Sequence, residues 1–375
     1  MKTYGIFYAL LVFVVFGCSS SEVTDIPKEE EESFYNADYV LLQSNNDQLS
    51  VQLLNATEST MNLSGAQSTF ESVLLPEITF RQGTTFAYYS RLTECSGQVT
   101  IHDFKDDTAS TYALFGDLVE CNLNTTSIAI KDGILYVSYV VEETAKISKY
   151  YVRAIDLAIE EDNFIDIELD KKPLQMDYAN GRLFVLTIDL EITDENSLSV
   201  IDMGSQTLIH EIGLGYDVER IFADTDQNMI ISYQELHTVL NSITMGVQYI
   251  SYEDGKEPMF YSSKSNSFDS EGRLFYIRPE TEFSGIPAIY DFSDNLALLY
   301  YYANFLTASQ LEFEFNIGKT TMIGYDDINN VMLVGYQKKD DESNGGLLRI
   351  QLEPEPEFLD NLDINGIPYA VFYQN

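Results

Sequence analysis

Six times along the chain, an apolar stretch, a polar turn and a second, more strongly apolar stretch follow one another. They read ITFRQGTTFAYYS from Ile78, SIAIKDGILYVSYVV from Ser127, LQMDYANGRLFVLTI from Leu174, RIFADTDQNMIISYQ from Arg220, SNSFDSEGRLFYIRP from Ser265 and TMIGYDDINNVMLVGYQ from Thr321. With Gly83, Gly133, Gly181, Asn228, Gly272 and Asn330 as turn markers, the intervals are 50, 48, 47, 44 and 58 residues. A period of that size describes an array of small units, none of which buries its apolar face alone. The β-branched and aromatic content of the stretches makes each unit a set of strands. In four units a third strand ends in aspartate: TIHD at Asp103, RAID at Asp156, SVID at Asp202 and AIYD at Asp291. An aspartate there opens the next turn by accepting backbone N–H groups, which is a structural task rather than a catalytic one.

Each unit has room for a fourth, edge strand such as TYALFG or TLIHEIG. Four strands at this period make a propeller blade. The two ends of the chain complement each other. The C-terminal GIPYAVFYQN has the character of an inner strand without partners, and the segment from Ala37, ADYVLLQSNNDQLSVQLLNATESTMNLS, has that of later strands without an inner one. Joined, they give a seventh blade and remove the open edge of the ring. The expected fold is all-β, a seven-bladed β-propeller closed by strands from both termini, occupying residues 37–375 as one domain.

The segment DTDQNMIISYQE, residues 224–235, poses an alternative. On the twelve-residue EF-hand template, Asp224, Asp226, Asn228 and Glu235 fall at ligand positions, so calcium is one reading. The other is a hairpin turn followed by a strand. Met229 stands where the EF-hand needs glycine, and the Ile230-Ile231 pair suits a strand.

The chain begins with one positive charge, Lys2, an apolar run over residues 4–16, then Gly17-Cys18 and three serines. This describes a secretory signal peptide over residues 1–17, because a membrane-spanning helix needs about 20 apolar residues. Its ending, Val15-Phe16-Gly17-Cys18, resembles the lipobox of bacterial lipoproteins, which implies lipidation of Cys18. Residues 18–36, serine-rich and carrying the Glu29-Glu30-Glu31-Glu32 run, read as a flexible acidic tether. Acidic residues soon after the cysteine resemble the surface-export signals of Bacteroidota lipoproteins. That implies the outer face of the outer membrane, with the periplasmic face as the alternative. Cys95 and Cys121 then remain as an even pair in an oxidising compartment. In the blade pattern they emerge on the same face, so a Cys95–Cys121 disulfide is expected, with two unpaired thiols as the alternative.

The 21 basic and 60 acidic residues, net charge -39, exclude nucleic acid as a partner, because phosphate binding needs a basic stripe. No catalytic constellation stands out. His102, His210 and His237 lie outside any metal-ligand spacing, and the chain has neither a phosphate-cradling glycine loop nor a serine nucleophile elbow. With so many acids, carboxylate pairs carry no information. Arg81, Arg91, Arg182 and Arg273 are notable for their scarcity in an acidic chain. The absence of tryptophan separates the chain from the Trp-bearing propeller signatures and leaves 26 tyrosines and 22 phenylalanines to pack the strands. The short DTA at Asp107 resembles a Bacteroidota O-glycosylation motif.

The chain as a whole resembles Bacteroidota surface lipoproteins that carry a YVTN-like seven-bladed propeller. The resemblance implies a lipid-anchored, extracytoplasmic, non-enzymatic binding protein that presents a nutrient or metal chelate to a TonB-dependent receptor. The site would lie on the face made by the second-to-third-strand loops and the inter-blade connections. The alternatives are a propeller lyase or hydrolase acting on an extracellular polymer, and an adhesion or scaffold protein. No cofactor is expected apart from the calcium alternative.

Overall fold

A computed structural model describes residues 36–374, apart from 66–67, 119–120, 145–146, 160–162 and 264–265. Cys18, the signal peptide and the tether through residue 35 lie outside the described residues. The strands fall into seven antiparallel sheets arranged as the blades of a ring. Blades 1 to 6 follow the chain: residues 79–114, 122–169, 172–215, 220–251, 266–299 and 317–364. Blade 7 takes its inner strand, Ile367–Tyr373, from the C-terminal end, and its second, third and outer strands, Asn36–Asn45, Gln48–Thr57 and Met61–Leu63, from the N-terminal end. The ring is therefore closed by strands from both termini. The pairing runs from Tyr39 opposite Tyr373 to Ser44 opposite Ile367.

Why the second strands read as nearly unbroken apolar runs is clear from the packing. In Arg182–Ile188, Phe184 and Leu186 face blade 4 with Ile221, Met229 and Leu240. Leu183 and Val185 face blade 2 with Tyr136 and Val152. A strand buried on both faces loses the polar alternation of a one-sided sheet. Such a cluster fills each of the seven blade interfaces.

The turn chemistry agrees. Two-residue hairpins need positive φ, and Asp132-Gly133 (φ 50° and 78°) and Asn180-Gly181 (φ 47° and 72°) supply it. The four strand-ending aspartates each accept a backbone N–H in the turn that follows: Lys105 to Asp103 at 2.9 Å, Ala158 to Asp156 at 2.9 Å, Ser205 to Asp202 at 2.7 Å and Ser293 to Asp291 at 2.8 Å. The amide and hydroxyl of Ser205 hold the Asp202 carboxyl below the usual carboxylate range. Asn241 does the same work in blade 4, accepting the Thr244 N–H at 2.8 Å, where the aspartate pattern is broken.

Every inner strand starts on one side of the ring and ends on the other. The turns after the first and third strands lie on what we term the hairpin face, and the second-to-third-strand loops and inter-blade connections lie on the loop face. Cys95 and Cys121 meet on the loop face as a bonded pair with Cα atoms 5.3 Å apart. Closing this loop constrains the unfolded chain, and Cys95→Ser/Cys121→Ser should lower stability by about 3.5 kcal/mol. Urea unfolding with and without reductant measures it. An unfolding midpoint that reductant leaves untouched would rule out a stabilising bridge.

Candidate functional site

The sequence-derived candidates do not converge on one site. Asp224, Asp226 and Asn228 share the hairpin turn of blade 4, where the Asp224 carboxylate accepts the Asn228 N–H at 2.7 Å and its side-chain amide at 3.1 Å. Burial raises the Asp224 carboxyl above its usual range. Glu235 lies past the other end of strand Asn228–Ser232, on the loop face, with that strand, roughly 17 Å of extended chain, between it and the turn. Among the described residues, no group of three or more His, Cys, Asp and Glu is placed to hold a metal.

The histidines are dispersed as well. His102 is buried in blade 1 against Phe70, ring centroids 4.6 Å apart. His237 is fully buried in blade 4, its Nδ1 2.9 Å from the Tyr252 hydroxyl, and burial pushes it down to about 4, so it stays neutral. His210 is exposed on the outer strand of blade 3. Of the scarce arginines, Arg91 bonds the Thr93 carbonyl at 3.0 Å, Arg182 bonds the carbonyls of Ser242 and Ile243, and Arg273 pairs with Asp269 at 2.6 Å. All three secure loops. Arg81 lines a cavity of about 560 Å³ on the hairpin face, its guanidinium 5.7 Å from the Tyr369 ring centroid. The Asp107 carboxylate of the DTA motif accepts the Thr69 N–H and hydroxyl, both at 2.9 Å, and Thr108 beside it is exposed.

What the structure adds is a cleft of about 800 Å³ on the loop face between blades 5 and 6. Its size falls in the range of small-molecule sites. The connection 300–316 forms one wall and the loop 279–285 the other. Each wall has a specific local cause. The connection folds into tight turns, closed by Phe315 N–H to Gln310 carbonyl at 2.8 Å, an i to i−5 bond that recurs at functional sites. In the loop, Phe283 and Ser284 both carry positive φ, 54° and 51°, which a non-glycine residue holds only when its surroundings enforce it. Here Phe283 packs edge-on to Tyr302 at 4.9 Å, the Tyr302 hydroxyl meets Thr320 Oγ1 at 2.7 Å, and Thr320 donates to the Gly285 carbonyl at 2.6 Å.

The lining is aromatic and apolar with an acidic rim. Tyr301 and Phe313 are 43% and 79% exposed, so their rings face solvent in the cleft rather than the core. Glu282, Glu312 and Asp340 rim it, with Lys339 as its basic neighbour. Asn316 bonds Asp340 at 2.8 Å and fixes it. The sequence did carry a signal for this cleft. The 58-residue interval between Gly272 and Asn330 is the longest of the five, and the excess is the connection 300–316.

No protein-family model matches the chain, and no curated protein does. Among solved structures, a candidate 6-phosphogluconolactonase from Bacteroides uniformis is similar over 90% of this chain and 99% of its own, with a TM-score of 0.53 and 8% identity. A puromycin hydrolase S511A mutant complexed with PGG is similar over 87% of this chain, with a TM-score of 0.51 and 7% identity, but this chain spans only 54% of that one. At such identities what is shared is the architecture. The described chain is a seven-bladed β-propeller.

Proposed function

We propose that the protein is a lipid-anchored, extracytoplasmic binding protein that holds a small ligand in the cleft between blades 5 and 6 and presents it to an outer-membrane receptor. The observation that carries this reading is the cleft itself: exposed aromatic rings for an apolar body, carboxylates at the rim for a cationic group or metal chelate. A wall of exposed aromatics is costly to leave wet and suits a ligand that covers it. Cys18 would supply the anchor, and the acidic tether the reach. An enzymatic reading has one observation in its favour, a carboxylate and a guanidinium, Asp177 and Arg220, on the adjacent inner strands of blades 3 and 4. It is weakened because both Asp177 oxygens already accept backbone N–H groups, from Tyr178 at 2.8 Å and Ala223 at 2.9 Å.

Native mass spectrometry of protein isolated from its own cells, before and after mild denaturation, tests the binding reading. A retained small molecule or metal complex is expected. Replacing Phe313 by Ala removes an exposed ring and should leave the fold intact, while its loss costs roughly 1.5 to 3 kcal/mol of contact, about ten- to a hundredfold in affinity. A ligand-free mass from native cells, or retention undiminished in Phe313→Ala, contradicts the cleft as the site.

A further inference from the structure

The seam between blades 4 and 5 encloses a histidine that makes one hydrogen bond. His237, on the third strand of blade 4, Leu236–Asn241, is 0% exposed. Four aromatic rings surround it: Tyr252 at 5.6 Å and Phe260 at 5.9 Å from the connection 252–263, Tyr290 at 5.8 Å and Phe292 at 5.5 Å from blade 5. Nδ1 meets the Tyr252 hydroxyl, whereas Nε2, equally buried, has no hydrogen-bond partner among the described residues.

This enclosure suits only the neutral ring. An imidazole carries one N–H and one lone pair, so a hydroxyl at Nδ1 serves it by donating or by accepting. An imidazolium carries two N–H groups. Nδ1–H would take the Tyr252 oxygen, and Nε2–H would stay buried without an acceptor, next to a charge removed from water. No carboxylate compensates. The titratable groups that face the ring are Tyr252 and Tyr290, both kept neutral because burial raises them. The charged groups on the same elements face solvent or have other partners. Glu253 pairs with Lys256 at 2.5 Å, Glu257 accepts the Gly255 N–H, and Asp291 accepts the Ser293 N–H and hydroxyl. Glu235 and Asp254 are exposed. Burial alone therefore lowers His237.

What covers His237 is a connection, not a strand. Residues 253–256 are exposed, and the segment closes on itself, with Lys256 N–H on the Glu253 carbonyl at 2.9 Å and Ser263 N–H on the Phe260 carbonyl at 3.1 Å. Its hold on the ring comes largely through side chains. Phe260 sits in the cluster between blades 4 and 5, the Tyr276 hydroxyl donates to the Pro258 carbonyl at 2.6 Å, and Arg220 donates to the Ser263 carbonyl. Segments held in this way open well before the whole fold does.

We propose that His237 is an acid-sensitive latch of the seam between blades 4 and 5: the neutral ring seals the connection 252–263 against blade 5, and protonation of the ring frees that connection while the other blades stay paired. The latch does not rest on the ligand reading of the cleft. Opening the seam gives the ring water, and the open ring takes its proton near pH 6.5, whereas the enclosed one does so only at about 4. The latch is at full strength above pH 6.5 and weakens as pH falls toward 4, because the open form binds the proton first. The opening equilibrium should grow about tenfold per pH unit through that window, roughly 300-fold in all.

Amide exchange of the full chain, corrected for intrinsic rates, tests this between pH 7 and 5, above the ordinary carboxylate range. Opening of residues 252–263 should rise about 30-fold by pH 5, with the strands of blade 2 unchanged. His237→Phe, an aromatic ring with nothing to titrate, should abolish the pH dependence, and His237→Gln serves if the phenylalanine variant fails to fold. Proton NMR of the three histidines in wild type supplies a second reading. The His237 signal, identified by its loss in the variant, should hold its neutral position down to pH 5. Opening that ignores pH, a slope retained in the variant, or a ring that charges near pH 6.5 with the seam closed overturns the proposal; the last would mean that the four rings stabilise the cation.

Discussion

A chain ending at Gly366 is expected not to fold. The strand it lacks, Ile367–Tyr373, is the inner strand of blade 7 and packs on both sides. Ala370 and Phe372 enter the cluster shared with blade 1, and Val371 and Tyr373 the cluster shared with blade 6. Loss of the Phe372 side chain alone costs about 3 to 5 kcal/mol, and whole domains are stable by only about 5 to 15 kcal/mol. Removing the strand also strips the backbone partners from Tyr39 through Ser44 and leaves that strand's edge bare. Circular dichroism and refolding yield of the truncated chain check this, with Phe372→Ala as the milder companion, expected to fold with a lowered midpoint. A truncated chain that melts like the intact one would mean that the remaining contacts of blade 7 suffice. Those contacts exist: Tyr39 donates to Asp326 at 2.8 Å and Arg349 to the Thr57 carbonyl at 2.8 Å. They tie the seventh blade to the sixth, and do nothing for its side toward the first.

Arg153→Ala should cost about 3 to 5 kcal/mol, the range for breaking a buried ion pair from one side. Arg153 is 1% exposed and its guanidinium is gripped by two carboxylates, with Nε and Nη2 on Asp166 at 2.8 and 2.7 Å and Nη1 and Nη2 on Asp117 at 2.6 and 2.8 Å. The Phe164 ring lies 3.7 Å from it and the Phe115 ring 5.0 Å. Asp117 belongs to the connection between blades 1 and 2, whose far end is fixed by Cys121. The alanine variant would strand two carboxylates beside an apolar hole. Arg153→Met with Asp117→Asn and Asp166→Asn, which removes the charges together, should recover most of the loss, because the cost lies in the unpaired charges. The acid limb carries a second signature. Arg153 holds the Asp117 carboxyl below its usual range, so its contribution is present above the ordinary carboxylate pKa and fades as pH falls through the depressed value. Stability curves of wild type and Arg153→Ala between pH 7 and 3 should therefore converge as acid is added. Parallel curves would show that Asp117 is not the partner that matters.

The architecture was legible because its signals are local and repeated. Turn glycines, strand-ending aspartates and doubly buried apolar runs recur once per blade, and orphan strands at the two ends have one way to pair. The sites were not legible to the same degree. Arg81 stood out by scarcity and does line a cavity, whereas Arg91, Arg182 and Arg273, equally scarce, secure loops. Arg153 and Arg220 passed unnoticed inside the repeat units RAID and RIFA, although one is the most heavily bonded cation described here and the other ties its inner strand to the Ser263 carbonyl. Which way an inner-strand side chain points depends on register, and a shift of one residue exchanges faces. The template match at residues 224–235 failed on topology rather than composition. Asn228 opens the extended strand Asn228–Ser232 and Glu235 lies beyond its other end, and the EF-hand reaches back only because a helix would bring Glu235 round.

The mixed origin of blade 7 also has a meaning in time. The strand Asn36–Asn45 leaves the ribosome well before its partner, Ile367–Tyr373, which follows more than 320 residues later. At ordinary synthesis rates the wait between them is roughly 20 to 60 seconds. Throughout it, the segment NADYVLLQSN has one unsatisfied edge, and the nascent chain is an open arc rather than a ring. An arc can still be threaded or unravelled from its end; a ring sealed by Ile367–Tyr373 cannot be, until that seal breaks.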